Sequence, residues 1–275
     1  MQRDLPMQSD REIFDKTLVS DPGQWDLVLR PAHGSLGVAL LPVARDVAPV
    51  WREISLEGPL PLQDAVYAHP LLLSDFRRVT VCIDARRFLF LPPEAADPAQ
   101  AEALMSAAYP SDGSVTVMAG DLPVSMAMKA DAEMLSFFRR TFVNLAVTHP
   151  LAVLIRYFAG RGARGGNGVH LYASFRGRRM DVAVLDGGRL LMGNTYDVAA
   201  AADGAYYVMA ALKTLSLDPA LTGVSFTGDQ EWRAEATSML RPYLGRLMPV
   251  IMPSGSRWSV SARLPFDLRI MHLCE

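Results

Sequence analysis

The feature that most constrains the fold of this chain is an order of elements that occurs twice. Near the start, "WDLVLRPAHGSLGVALLP" and "PVWREISLE" alternate apolar with polar residues around turn residues, and "HLYASFRGRRMDVAVLDGGRLLMGNTYDV" does the same in the second half. Alternation of this kind, broken by Gly, Pro, Asn and Asp, predicts strands joined by tight turns. Each set of three strands is followed by helical patterns alternating with short strands. A repeated order predicts two lobes of similar α/β construction, each βββαβα.

The boundaries of these lobes follow from composition. Residues 1–22 are polar and lack clear periodicity, so they predict an N-terminal arm, followed by a first lobe over 23–160. The segment 161–168 is rich in Gly and Arg and has no apolar anchor, which predicts a connection to a second lobe over 169–275. Gly160, Gly162 and Gly165 match a dinucleotide-binding pattern. We reject that match because a helix precedes it and a strand follows it, the reverse of what the pattern requires.

The overall composition excludes several functional classes. The 275 residues carry a net charge of −2, with 27 basic and 29 acidic side chains, so nothing favours nucleic-acid binding. No apolar run approaches the roughly 18 residues that a membrane span needs, and the start of the chain lacks the apolar core of a signal peptide. The two cysteines and five histidines show no metal-ligand spacing. We therefore expect a cytoplasmic protein with no membrane span.

The order of elements in both halves resembles the actin-like ATPase (ribonuclease H-like) fold. The resemblance rests on the three-stranded meanders, on "VSFTGDQEWRAEATSMLRPYLGRL" in the second lobe, and on "RRFLFLPPEA" and "NLAVTHPL" in the first. In layout the chain is similar to pilus-assembly and cell-division members of that fold, and specifically to a bacterial family of unknown function. The resemblance implies a fold and a compartment, with no established reaction.

In active members of this fold, one hairpin turn from each lobe holds the phosphates of ATP, usually with an aspartate beside a glycine. The resemblance therefore implies a set of possible phosphate- or nucleotide-binding residues in this chain: Gly34, Ser35, Gly177, Arg178, Thr227 and Gly228. Neither hairpin turn carries an aspartate, and Asp181 and Asp186 are expected at the wrong end of the second hairpin. Since Mg²⁺ requires hard oxygen ligands, we expect that ATP hydrolysis has been lost. We predict no catalytic residue and no metal ligand.

Two features leave alternatives open. Arg176, Arg178 and Arg179 could bind a phosphate without metal, because guanidinium groups pair well with phosphate oxygens. We favour the ordinary interpretation, in which arginines at a hairpin turn are solvated surface charges. His149 lies where a strand leads into a helix, a suitable place for a ligand-binding group. A capping or packing role is the interpretation we favour for it.

Three functional hypotheses remain. The preferred one is a non-catalytic scaffold or binding module with a degenerate nucleotide site, which binds a protein partner or associates with itself and needs no cofactor. The alternative is an ATP-binding switch or weak ATPase with an atypical phosphate-binding hairpin. A small-molecule kinase of the same fold is disfavoured because no carboxylate stands at a recognisable catalytic position.

Overall fold

The computed structural model describes residues 18–44, 46–58, 61–110, 113–119, 124–162, 168–251, 264–271 and 273. Most of the predicted N-terminal arm (1–17) and most of the predicted connection (163–167) lie outside this range. At the end of the arm, Val19 is buried in the core of the first lobe. Among the described residues, no helix combines the length and the apolar character that crossing a bilayer requires.

The first lobe is built on a five-stranded sheet. Its strands β1 to β3 form the predicted antiparallel meander, and β4 and β8 extend the sheet in parallel with β1 in the order β3-β2-β1-β4-β8. The bounds are β1 Trp25–Ala32, β2 Ser35–Pro42, β3 Val50–Ser55, β4 Arg78–Cys82 and β8 Ala146–Thr148. Helices α1 (Pro61–Tyr67), α3 (Ala132–Thr141) and α4 (Pro150–Gly162) connect or follow these strands.

A second, smaller sheet is inserted into the first lobe between β4 and β8. It contains β5 (Phe88–Leu91), β6 (Ser114–Ala119) and β7 (Ser125–Asp131) in the order β5-β7-β6. Helix α2 (Pro98–Ala108) packs on it and begins as the sequence predicts. The Asp97 side chain accepts hydrogen bonds from the Ala99 and Gln100 amides, and Pro98 occupies the first helical position.

The second lobe repeats the plan of the first. Its sheet has the order β11-β10-β9-β12-β13, with an antiparallel meander followed by two parallel strands. The bounds are β9 Val169–Arg176, β10 Arg179–Asp186, β11 Arg189–Asp197, β12 Gly223–Gly228 and β13 Arg246–Leu247. Helices α5 (Ala201–Thr214) and α6 (Gln230–Leu240) cover one face, and α7 (Phe266–Met271) lies near the end of the chain. The two sheets therefore share one strand order, as the repeated sequence pattern predicts.

One apolar layer joins the two sheets. Helices α4 and α7 pack together with side chains from both lobes, including Val28 and Leu41 of the first sheet and Ala183 and Leu185 of the second. Nine of the thirteen residues of α4 are buried, so this helix is apolar nearly all round. A helix of this kind is buried between layers rather than exposed on a surface. The carboxyl ends of β4 and β9 approach each other beside this layer, since Asp84 and Arg176 at those ends are in contact. We call the region between these strand ends the cleft.

Candidate functional site

The candidate site is the cleft between the lobes. It is bordered by the turn of the β1–β2 hairpin, the turn of the β9–β10 hairpin, the junction of β12 with α6, and the chain that leaves the carboxyl end of β4. Ligands of open α/β sheets bind at the carboxyl ends of strands, because loops and helix termini present polar groups there. In this protein the same region contains buried charged side chains from both lobes.

A single carboxylate of the first lobe holds two guanidinium groups of the second. Asp84, two residues beyond β4, accepts hydrogen bonds from Arg176 Nη1 at 3.1 Å and from Nη2 at 3.0 Å. Arg179 donates to the same carboxylate and, at 3.0 Å, to the Asp84 carbonyl. The Arg176 and Arg179 side chains are only 9% and 14% exposed. Two arginines that flank the second hairpin turn are therefore bound to the opposite lobe.

A second carboxylate completes this group from within the second lobe. Asp181, on β10, accepts from Arg176 Nε at 2.7 Å and from Nη2 at 3.2 Å, and it also accepts from the Thr195 hydroxyl at 2.7 Å. Asp181 is fully buried. We call Asp84, Arg176, Arg179 and Asp181 the interlobe cluster. It contains two positive and two negative side chains, so its formal charges cancel.

The cluster fixes the ionisation of its members. Burial alone would raise the pKa of Asp84, but Arg176 and Arg179 outweigh burial and hold that pKa well below its ordinary value. Burial alone would likewise lower the pKa of Arg176, but Asp181 and Asp84 raise it above its ordinary value. Ion pairing therefore favours the charged forms of both groups at neutral pH.

His149 lies beneath the cluster and is fully buried. Its Nδ1 accepts a hydrogen bond from the Leu151 amide at 3.0 Å, and its Nε2 lies 3.1 Å from the Ala85 carbonyl, to which it donates. Burial lowers its pKa to about 4, so the ring is neutral at pH 7. It thus caps the first turn of α4 and packs against Phe88, the role that the sequence favours.

A further buried ion pair lies beside the cluster. Arg30, near the end of β1, binds Asp267 of α7, and burial lowers the pKa of the Arg30 guanidinium. Cys82 Sγ lies 3.9 Å from Arg30 Nη2. The Cys82 side chain is completely buried, and burial raises the pKa of its thiol. At the rim, Arg86 of the first lobe donates to Asp197 of the second at 2.8 Å, but both side chains are largely exposed.

The predicted residues of the first hairpin lie at an exposed turn. Gly34 has φ +76°, which explains why glycine occupies this position, and its surroundings are open. The Ser35 hydroxyl donates to Glu53 on β3 at 2.6 Å, so it is engaged within its own lobe. Neither residue belongs to the interlobe cluster.

The predicted residues of the second lobe fall into two groups. Gly177 (φ +52°) and Arg178 are exposed at the turn between β9 and β10. Thr227 is buried and its hydroxyl donates to the Ala173 carbonyl at 3.4 Å. Gly228 has φ +83°, and a β-carbon there would lie 1.9 Å from the Phe175 carbonyl oxygen. The last two positions thus hold β12 and α6 close to β9.

Two predictions about this hairpin are wrong. Arg176 and Arg179 are not solvated surface charges, because the opposite lobe covers them; that interpretation applies to Arg178 alone. Asp181 is not remote from the turn, because its side chain reaches back along the strand to Arg176. Asp186 does lie at the far end of β10, where its nearest cationic partner is Arg189 at 3.7 Å.

Sequence reasoning missed Asp84, the residue that both arginines share. The available signal was its position directly after the apolar run "VTVCI", because residues at the carboxyl end of a parallel strand often lie in a binding site.

No group of three or more His, Cys, Asp or Glu side chains suited to a metal ion occurs within the described ranges. Both carboxylates of the cluster are bound to guanidinium groups, and Asp84 thereby joins the two lobes.

Comparison with known proteins confirms the fold. A protein with actin-like ATPase fold and unknown function from Bacteroides thetaiotaomicron is 19% identical, with 92% of this chain and 97% of that chain covered and a TM-score of 0.74. The PilM–PilN type IV pilus biogenesis complex contains a chain that is 14% identical, with 82% of this chain and 88% of that chain covered and a TM-score of 0.53. No curated protein sequence matches this chain.

The family comparison agrees with the predicted resemblance to a family of unknown function. Residues 51–247, from β3 of the first lobe to β13 of the second, match the model described as "Protein of unknown function (DUF3822)". The match takes in both sides of the interlobe cluster. The chain therefore belongs to the DUF3822 family, and its own fold is similar to that of actin-like ATPases.

Proposed function

We propose that this protein is a non-catalytic, cytoplasmic binding module of the actin-like fold, whose degenerate nucleotide site is closed by its own ion pairs. The observation that carries the proposal is the binding of Arg176 and Arg179 to Asp84. The side chains best suited to pair with phosphate oxygens are already neutralised by a carboxylate of the opposite lobe.

A nucleotide would have to compete with this internal ligand. Its phosphates could reach Arg176 and Arg179 only after Asp84 had left, and Asp84 would then lose two charge-assisted hydrogen-bonding partners. A magnesium ion would in turn need carboxylate oxygens, and those of Asp84 and Asp181 are taken by guanidinium groups. Phosphoryl transfer depends on positioned cations around the phosphates, so the cluster opposes catalysis as well as binding.

Since the ion pairs oppose nucleotide binding and catalysis in the cleft, we propose that the function of the protein is to bind another protein. PilM, whose chain shares the fold at a TM-score of 0.53, forms a complex with PilN. Ion pairs and a shared apolar layer join the two lobes, and surfaces that are held in place before binding reduce the entropy that association costs. We therefore propose a protein partner, either a second protein or another copy of this chain, and no required cofactor.

Thermal unfolding with and without Mg-ATP tests the proposal. A ligand present at 100 times its dissociation constant stabilises a protein by about 2.7 kcal/mol, which raises the melting temperature by roughly 2–4 °C at this size. We expect no shift at millimolar Mg-ATP and no release of phosphate. A reproducible shift of that size would contradict a closed, non-catalytic cleft.

The alternative is an ATP-binding switch, and one observation favours it. Gly177 and Arg178 are exposed at the turn of the second hairpin, and Gly34 is open at the turn of the first. If Mg-ATP does raise the melting temperature, Arg178→Ala should abolish the shift, whereas Arg52→Ala, which changes an exposed arginine on β3, should leave it unchanged. Loss of the shift in the first variant alone would establish the second hairpin as the phosphate-binding element.

A further inference from the structure

A cavity of about 520 Å³ lies in the first lobe, at the amino ends of the parallel strands β1, β4 and β8. It is therefore at the opposite end of this sheet from the cleft, which β4 reaches with its carboxyl end. Val28 and Thr80, which are neighbours on β1 and β4, line the cavity from the sheet, and Arg156 of α4 and Met271 of α7 line it from the helices. Its volume is within the range of roughly 300–1,000 Å³ that small-molecule sites have.

Arg156 is the only charged residue in the apolar part of α4. From Pro150 to Ala159 every other residue is buried, whereas Arg156 is half-buried and lines the cavity. Charged side chains are rarely placed among buried residues unless polar groups or a ligand pair with them. A guanidinium group matches the oxygens of an anion and has five N–H donors, so it can bind a ligand in addition to a contact within the protein.

The charges around the cavity favour an anion. Among its described lining residues are three arginines (Arg77, Arg78 and Arg156) and two aspartates (Asp26 and Asp75), which gives a formal net charge of +1. Asp26 is largely buried, and Arg77 donates to both of its oxygens, with Nε at 2.9 Å. A single negative charge would therefore balance the lining, whereas a second one would exceed it.

Apolar side chains border the same cavity. Val143, in the loop between α3 and β8, is 85% exposed, the largest fraction of any large apolar side chain in the described part of the chain. Leu73 also lines the cavity and is 43% exposed. Asn144 has φ +55°, and residues other than glycine that are held in this conformation often lie at ligand sites. An apolar group of a ligand would remove this exposed surface from water, which is favourable.

We propose that this cavity binds a small organic monoanion, namely a carboxylate with an alkyl chain. Its carboxylate pairs with Arg156 and Arg78, because two carboxylate oxygens match the planar guanidinium group. Its alkyl chain lies against Val143 and Leu73. The inference goes beyond the proposed function, since it adds a small-molecule site that is separate from the cleft and leaves the interlobe cluster intact.

Isothermal titration calorimetry with sodium octanoate tests the proposal. We expect saturable binding of one octanoate per chain. Acetate, which has the carboxylate without the long chain, should bind at least about tenfold more weakly, because it covers little apolar surface. Octylammonium, which has the long chain and the opposite charge, should show no saturable binding.

Arg156→Gln should raise the octanoate dissociation constant about tenfold or more, because a charge-assisted hydrogen bond is lost. Arg161→Gln is the matched control. It removes an arginine from the same helix that does not line the cavity, so it should leave the dissociation constant unchanged. Circular dichroism of each variant verifies that the helices are retained.

Val143→Asp tests the apolar border without altering a buried residue. A carboxylate at this position repels the ligand and removes apolar contact, so the octanoate dissociation constant should again rise about tenfold. Leu221→Asp is the matched control, since it places the same charge on a residue of the second lobe that is 64% exposed.

Three results would overturn the proposal. They are the absence of saturable octanoate binding, binding of octylammonium as tight as that of octanoate, and an octanoate affinity that Val143→Asp leaves unchanged. Because Val143 is exposed, its variant decides the question even if Arg156→Gln fails to fold. None of these titrations contains nucleotide, so they can fail while the Mg-ATP experiment still supports a closed cleft.

Discussion

At the scale of single residues, Asp84 is the residue whose ion pairs join the two lobes at the cleft. Its carboxylate comes from the first lobe and pairs with two guanidinium groups of the second lobe that are almost inaccessible to water. Removing one partner of a buried pair leaves an uncompensated charge, which costs far more than the pair itself is worth. The effect of a substitution here should therefore differ sharply from that of an exposed pair.

Asp84→Asn should lower the free energy of unfolding by about 3 kcal/mol, because Arg176 and Arg179 lose a charged acceptor while they stay buried. Urea denaturation followed by circular dichroism measures this change. Arg86→Ala is the control, since it breaks the exposed pair with Asp197 and should cost less than about 1 kcal/mol. Equal effects of the two variants would show that the cluster is not a significant contact between lobes.

His149 makes the free energy of unfolding depend on pH, and the size of this effect can be calculated from its pKa. Its folded pKa of about 4 lies below the ordinary value of 6.5, so the unfolded chain binds more protons between these values. The stability that the neutral ring confers is complete above pH 6.5 and is lost as the pH falls towards 4. At pH 5 the loss from this residue is about 2 kcal/mol.

Urea denaturation at pH 7 and pH 5 measures the total loss of stability between these values, and His149→Asn should reduce that loss by about 2 kcal/mol. Asparagine does not titrate and can still accept from the Leu151 amide. His170, whose pKa burial also lowers to about 4, contributes to the same range of pH and remains in the variant. An identical pH dependence in the two proteins would mean that His149 is not the source.

At the scale of elements, the junction of β12 with α6 illustrates how closely the second lobe is built. Asp229 caps α6 through the Glu231 and Trp232 amides, and its own amide donates to the Phe175 carbonyl at 3.0 Å. Gly228 lies against that same carbonyl, so the chain turns from strand to helix with no space for a side chain.

Gly228→Ala should lower the free energy of unfolding by about 3 kcal/mol or more, because the backbone must move away from Phe175 and φ is positive. Gly34→Ala is the matched control. Its φ of +76° is similar to the +83° of Gly228, but no atom lies within 4 Å of the added carbon, so it should cost about 1 kcal/mol. Thermal unfolding compares the two, and similar losses would indicate that the close contact relaxes easily.

The elements also show what the sequence could predict. The meanders and the α2 cap follow from local patterns, namely period-two alternation, turn residues and an Asp-Pro start. The pairing of β5 with β7 in a separate sheet could not be foreseen, since "FLF" would suit either sheet. The contact of Arg176 with Asp84 joins residues 92 positions apart. A hairpin sequence does not reveal that another lobe will cover it.

At the scale of the whole molecule, the two lobes are joined by a common apolar layer as well as by the cluster. Leu151 of α4 is completely buried there, among side chains that come from both sheets. Disrupting this layer should therefore affect both lobes together. Two domains that share only a small apolar interface would instead unfold separately, because each would be stabilised by its own core.

Leu151→Ala should cost about 3 kcal/mol, because it leaves a cavity in a layer that cannot close freely. Hydrogen exchange in increasing urea should show the amides of β1 and β10 losing protection in step, in the wild type and in the variant. If one of these strands lost protection at clearly lower urea than the other, the lobes would be independent units.

Asp84 has one further consequence. The protein supplies from its own sequence an anion that its arginines hold. Under the proposed function, the lobes would stay joined without a bound nucleotide, and the conformation of the protein would not follow the ATP level of the cell. Because the two arginine side chains are almost inaccessible to water, added salt should weaken this contact between the lobes much less than it weakens the exposed pair of Arg86 with Asp197.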